Sequence, residues 1–233
     1  DQLITLKKAD SIIAVSTKGF HTLKDRYKVD PKNLQLVYNG IDLKKFFISE
    51  REERIPVVAM VAHLSVFKGW FDFLAIIERL MVLGLKFKAW IIGEGELKKE
   101  LELEVQKKKL NDVVLFKGNV NDVNLCMAFI DVFLFTSHRE GLSVAVIEAL
   151  ASGLPIVATN VGGIHEQVEH NKNGFIFRLN QLDEMVNAVS YLLENRQMRT
   201  IMGKASRKIA EQKFSEEQMV SSYVSIYREL VKE

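Results

Sequence analysis

Short β-branched runs alternate with longer amphipathic segments along nearly the whole chain, and this alternation restricts the fold more than any other feature. The runs fall at residues 12–15, 34–38, 57–61, 88–92, 113–116, 132–135, 156–158 and 174–177. Each is too short for a helix and is bounded by Gly, Pro, Asn or Asp. Between them, Trp70, Phe73, Leu74, Ile77, Leu80 and Met81 recur at helical spacing, and Gly84 follows as a C-cap. Leu97, Leu101 and Val105 repeat the pattern, and 144–152 gives a further helix stopped by Gly153 and Pro155. Near-continuous apolar strands joined by helices predict an α/β fold, a Rossmann-like doubly wound parallel sheet covered on both faces. Three C-terminal helices are expected near 181–194, 196–212 and 215–231, with Asn180 and Ser215 capping the first and last. The charged, aperiodic stretch 39–55 reads as a hinge, with 56–177 as the core of the Rossmann-like unit.

Composition narrows the class. Hydrophobic content of 48% and charged content of 27% are those of an ordinary globular protein. A net charge of +2 gives no reason to expect a nucleic-acid partner. The single cysteine, Cys126, excludes an internal disulfide, reads as a buried packing residue, and fits a reducing, cytoplasmic setting. No apolar run reaches the length of a membrane span, and no signal peptide opens the chain. The opening residues already read as the inside of a domain, so we expect the natural N-terminal half to lie outside this sequence.

In an open parallel sheet, ligands bind beyond the carboxyl ends of the strands. The relevant loops are AHLSVFKG with His63, Lys68 and Gly69, GEGE with Gly93, Glu94 and Gly95, KGNVND, TSHREGLS and TNVGG. Their glycines would let backbone approach a ligand closely, although any one of them alone reads as a plain turn. The segment 136–148 says more. Glu140 precedes Gly141, Leu142, Ser143 and Val144, where a helix begins. Glu148 lies about 7–8 Å further along that helix at the standard rise per residue. The unpaired amides of a helix N-terminus lie between the two carboxylates and attract an anion. Carboxylate, anion hole, carboxylate suits a ligand with hydroxyls at both ends and a diphosphate between them. Lys68 opens another helix, where the dipole disfavours a cation and a bound phosphate would relieve the conflict.

The stretch EGLSVAVIEALASGLPIVATNVGGIHEQVEHNKNGFIF resembles the signature of retaining glycosyltransferases of family 4 (group 1), which have the GT-B fold. Glu140 and Glu148 meet its Glu-x7-Glu spacing. VYNGID at 37–42, the KG at 68–69, IIGEGE at 91–96 and LFKGNV at 115–120 look like its other landmarks, in the family's order. The resemblance implies that Glu140 contacts the donor sugar as the catalytic residue and that Glu148 binds the ribose hydroxyls. Backbone at Gly141, Leu142, Ser143 and Val144, together with Lys68 and Gly69, would hold the diphosphate, and Val120 and its neighbours would receive the base. It implies a substrate but no cofactor: a nucleotide diphosphate sugar, UDP- or GDP-linked. It also implies four parts: 1–38 as a remnant of the N-terminal acceptor domain, 39–55 as hinge, 56–214 as the nucleotide-sugar-binding domain, and 215–233 as a helix crossing back toward the absent domain. That domain would be the partner, with peripheral membrane association possible through it.

Two departures stand out. Where the family has an arginine before the KG, this chain has His63, which lacks the guanidinium fork and titrates near neutrality. This implies weaker donor binding, or binding that improves as pH falls. The acceptor half, with its usual catalytic histidine, has no counterpart in residues 1–55, so little or no transfer is expected from this chain alone. His165 and His170 are five apart, which does not place two ligands on one helix face, and no metal is expected. His138 reads as a solvated loop histidine, and 97–110, alternating in sign, as a solvated helix face. Phe46 and Phe47 could be interdomain contacts or local core. A dinucleotide oxidoreductase is excluded because no G-x-G-x-x-G follows the first core strand. Another GT-B nucleotide-sugar enzyme, such as an epimerase, and a noncatalytic nucleotide-sugar-binding module stay open.

Overall fold

The computed structural model describes residues 8–48 and 54–231. A two-stranded parallel sheet comes first, β1 (Ile12–Ala14) beside β2 (Leu34–Leu36), with the short helix α1 (Thr17–His21) between them. The main sheet follows: β3 (Val57–Val61), β4 (Lys88–Ile92), β5 (Val114–Gly118), β6 (Val132–Phe135), β7 (Ile156–Thr159) and β8 (Gly174–Phe177). All six strands are parallel, in the order β5-β4-β3-β6-β7-β8. The helices of this unit are α2 (Trp70–Val82), α3 (Lys98–Lys107), α4 (Val123–Met127), α5 (Val144–Ala151), α6 (Ile164–Gln167), α7 (Leu182–Glu194), α8 (Arg196–Lys213) and α9 (Glu216–Val231). Among the described residues no helix is long and apolar enough to cross a membrane.

The chain builds outward from β3 to β5, then returns to the other side of β3 with β6. The strand order therefore reverses between β3 and β6, and their carboxyl-end loops emerge side by side at this switch point. Central strands β6 and β7 are buried at every residue, which explains their unbroken apolar runs. Edge strand β5 alternates instead. Helix α2 buries Trp70, Phe73, Leu74, Ile76, Ile77 and Leu80 against the sheet. Each such side chain contributes about 1.5–3 kcal/mol by leaving water. Its C-terminus closes as expected: Gly84 adopts φ +76°, its N–H donates to the Met81 carbonyl at 2.9 Å, and Leu85 N–H donates to Leu80 at 3.4 Å.

Four strands match their sequence-predicted limits and the others shift by one to two residues at an end. Ser215 caps α9, its Oγ accepting from Gln218 N–H at 3.2 Å. Asn180 does not cap α7. Gln181 occupies that position without a side-chain cap bond, because its Oε1 accepts from Arg178 N–H at 2.9 Å across the preceding turn. Helices α1, α4 and α6 have four or five residues each, too few to show a period in sequence.

The β1–β2 pair stands apart from the main sheet and is tied to it through Glu166 on α6. The Glu166 carboxylate accepts from Thr17 N–H at 3.1 and 3.0 Å and from the Tyr38 hydroxyl at 2.8 Å. Burial and Glu166 push the Tyr38 phenol up to about 12. Within the charge-rich stretch expected as hinge, residues 49–53 lie outside the described residues. Its first part is pinned: Ile41 N–H donates to Phe214 O and Glu216 N–H to Ile41 O, both at 3.0 Å. Arg207 Nη1 donates to the carbonyls of Phe46 and Ala151 at 2.8 Å. Phe46 is core and Phe47 is exposed, so only the first has a packing role here.

Candidate functional site

The loops after β3 and β6 are stitched together at the switch point. Thr136 Oγ1 donates to Gly69 O at 2.8 Å, and His138 N–H donates to Phe67 O at 2.8 Å. Gly69 adopts φ +68°, and a Cβ there would lie 1.9 Å from the Thr136 carbonyl oxygen. Its lack of a side chain permits this close loop-to-loop contact. Gly93 and Gly95 behave alike, pressed against backbone at Ala62 and Leu64. His138 is not a free solvated histidine: its Nε2 sits 2.6 Å from Asp72 Oδ2, a side-chain link from the β6 loop to the first turn of α2.

Helix α5 begins at the mouth of this junction. Ser143 is its N-cap, Oγ accepting from Val146 N–H at 3.4 Å. The buried Gln167 side chain holds Ser143 from both sides, Oε1 accepting from Ser143 N–H at 3.2 Å and Nε2 donating to Ser143 O at 2.7 Å. Ser143 therefore has no free amide for a phosphate, contrary to the expectation. The amides of Gly141, Leu142, Val144 and Ala145 have no partner among the described residues. Behind this turn, Gly163 N–H donates to Gly141 O at 2.7 Å. The turn is thus fixed on one side by backbone, while a Cβ at Gly141 would meet nothing within 4 Å on the other.

The residues singled out in sequence fall into two neighbouring groups. Lys68 Nζ lies 2.6 Å from Glu140 Oε1, so a carboxylate answers the cation that the α2 dipole disfavours. The Glu140 side chain is 8% exposed and that of Lys68 is 26%. His63, Val120 and Glu148 line one cavity of about 560 Å³ with Gly93, Glu94, Asn119 and Asn121. Glu148 has no hydrogen-bond partner there among the described residues, and burial pushes its carboxyl from 4.5 up to about 7. His63 Nε2 sits 3.2 Å from Glu96 Oε2, with both side chains mostly exposed. The sequence reading missed Gln167 and Glu166; Asn119 and Asn121 are the neighbours of Val120 that it expected beside the base. A glutamine at the end of a four-residue helix signals nothing until the fold sets it against Ser143.

Fold and site together define a doubly wound α/β unit whose switch point carries an open run of amides, a lysine–carboxylate pair and a carboxylate-lined cavity. Residues 42–209 match the family of glycosyl transferases group 1, and the chain belongs to that family. It is 35% identical, over 66% of its length and 44% of the relative's, to an uncharacterized glycosyltransferase of Haemophilus influenzae. It is 26% identical to the N-acetyl-alpha-D-glucosaminyl L-malate synthase of Bacillus anthracis, covering 98% of this chain and 62% of that one. The chain thus spans 44% and 62% of the length of these two relatives. Among solved structures, sucrose-phosphate synthase from Thermosynechococcus elongatus superposes with TM-score 0.89 at 22% identity, over 99% of this chain and 61% of the other. Anabaena HepE in complex with UDP superposes with TM-score 0.85 at 24% identity, over 99% and 66%. The expected α/β fold is the fold these structures share.

Proposed function

We propose that this chain is the donor-binding half of a retaining glycosyltransferase, holding a nucleotide diphosphate sugar, UDP- or GDP-linked, for transfer to an acceptor bound by a further domain. The observation that carries this reading is the position of Glu148, a half-buried carboxyl without a side-chain partner among the described residues, in a cavity one and a half turns from an open helix mouth. Ribose hydroxyls would donate to Glu148, and the base would lie against Val120 between Asn119 and Asn121. The amides of Gly141, Leu142, Val144 and Ala145, with Lys68, would take the diphosphate. Glu140 would receive the sugar hydroxyls. His63 would face the diphosphate from the β3 loop, weakened in that task by Glu96.

The complex of the structural neighbour HepE with UDP supports a uridine nucleotide as the first ligand to try. The β1–β2 pair and the apolar stripe Val220, Val224 and Tyr227 on α9, exposed here, would be covered by the acceptor domain. The same domain would supply the nucleophile and any peripheral membrane contact, so this chain alone would bind donor without transferring it. Thermal-shift titration with UDP-, GDP- and ADP-sugars tests the reading, with Glu148→Ala as control. Stabilisation by one base class that is lost in Glu148→Ala is the expected result; no stabilisation by any of them would refute it. Joined to its acceptor domain, the protein should transfer sugar. Release of free nucleotide without transfer would favour an epimerase, and binding without turnover a noncatalytic module.

A further inference from the structure

The Lys68–Glu140 pair occupies the place where the diphosphate and the sugar would both need a partner. Lys68 has Glu140 as its polar side-chain partner, and Glu140 has Lys68 as its own. Glu140 is the less exposed of the two, walled by Gly162, whose Cβ position lies 3.1 Å from Glu140 Cβ. It also stands two residues before the open amide of Leu142 in a turn held rigid from behind. An anion settling on these amides competes with Glu140 for a single ammonium group.

We propose that Lys68 and Glu140 form an exchangeable pair: the diphosphate draws Lys68 away, and the donor sugar's hydroxyls then satisfy Glu140. This rests on the donor-site reading above. Breaking a partly buried ion pair leaves a carboxylate without compensation, which is costly. Bare nucleoside diphosphate incurs that cost. A nucleotide sugar removes it, because its hydroxyls donate to the freed carboxylate. The pair therefore makes the site favour the intact donor over the diphosphate product, and favours release of the product once the sugar has left. It is a specificity device of the apo site, separate from any role of Glu140 in chemistry.

The test is a calorimetric titration of the chain with inorganic pyrophosphate, which is indifferent to the base, and with UDP. Four forms are compared: native, Glu140→Gln, Lys68→Gln and the double variant. Glu140→Gln frees Lys68 without leaving a charge behind, and should tighten pyrophosphate by about fivefold or more, within the range of coupling between contacting residues. In the Lys68→Gln background the same change should give a clearly smaller gain, since no pair remains to break. An equal gain in both backgrounds means simple through-space repulsion and overturns the proposal, as does unchanged or weaker binding in Glu140→Gln. Should Lys68→Gln fail to fold, the preference for UDP-glucose and UDP-N-acetylglucosamine over UDP decides the matter. It should shrink in Glu140→Gln because UDP tightens; shrinkage through weaker sugar-nucleotide binding alone overturns the exchange. Nucleotide binding that depends on Glu148, without tightening in Glu140→Gln, sinks the exchange and leaves the donor site standing. No binding of UDP, GDP or pyrophosphate sinks both.

Discussion

Gly162 and Glu140 touch backbone to backbone: a Cβ on Gly162 would lie 2.0 Å from the Glu140 carbonyl oxygen, and Gly162 itself adopts φ +59°. The β7 loop thus forms the rear wall of the β6 loop. Gly162→Ala should cost about 3 kcal/mol, combining left-handed strain with overpacking, and should weaken UDP binding. Gly141→Ala, whose Cβ meets open space, should keep stability within about 0.5 kcal/mol while obstructing the ligand. Urea unfolding and UDP titration of the two variants check the contrast. Full affinity in Gly141→Ala would show that no ligand approaches that amide.

Glu148 sets a pH dependence of stability. Its carboxyl is raised from 4.5 to about 7 by desolvation. A raised folded-state value means the group costs nothing below pH 4.5, where it is protonated folded or unfolded. The cost grows as pH rises between 4.5 and about 7, and is complete above. Glu148→Gln should therefore match the native chain at about pH 3, well below 4.5, and exceed it at about pH 8, by up to about 3 kcal/mol. Denaturant unfolding at the two values measures this difference. The same variant should lose nucleotide affinity, a stability–function trade.

Gln167 holds the start of α5. Gln167→Ala would leave the buried Ser143 N–H unpaired, while the Ser143 carbonyl would keep the bond it accepts from Ile147 N–H at 3.2 Å; the cost should be about 2 kcal/mol. Faster amide exchange at Ser143 and Val146 should accompany the lower unfolding midpoint. A midpoint equal to the native one would mean water replaces the side chain.

Glu166 fastens the β1–β2 unit. In Glu166→Ala the Tyr38 phenol should titrate back from about 12 toward its ordinary 10.0. Thr17 N–H should exchange faster, and proteases should cut within residues 16–38. Spectrophotometric titration and limited proteolysis are the measurements, and an unshifted phenol would place the cause in burial alone.

Much of the site was legible because it is local. Glu140 and Glu148 share one loop and helix, and Lys68 and Gly69 share one turn, so motif spacing carries them. Gln167 was not legible, since it lies 24 residues from the serine it clamps. The close backbone contacts of Gly69, Gly93 and Gly95 with other loops were hidden for the same reason. A glycine's sequence neighbours do not say whether a ligand or another loop will fill the space beside it.

The sequence by itself determined the doubly wound sheet, the longer helices and the family, because hydrophobic periodicity and short motifs are properties of contiguous residues. Only the tertiary structure decided which loops lock together, which amides stay open, and that Lys68 meets Glu140 across 72 residues of chain. Those outcomes depend on strand order: crossing over at β3 and β6 places distant loops side by side, and close packing then assigns each polar group its partner.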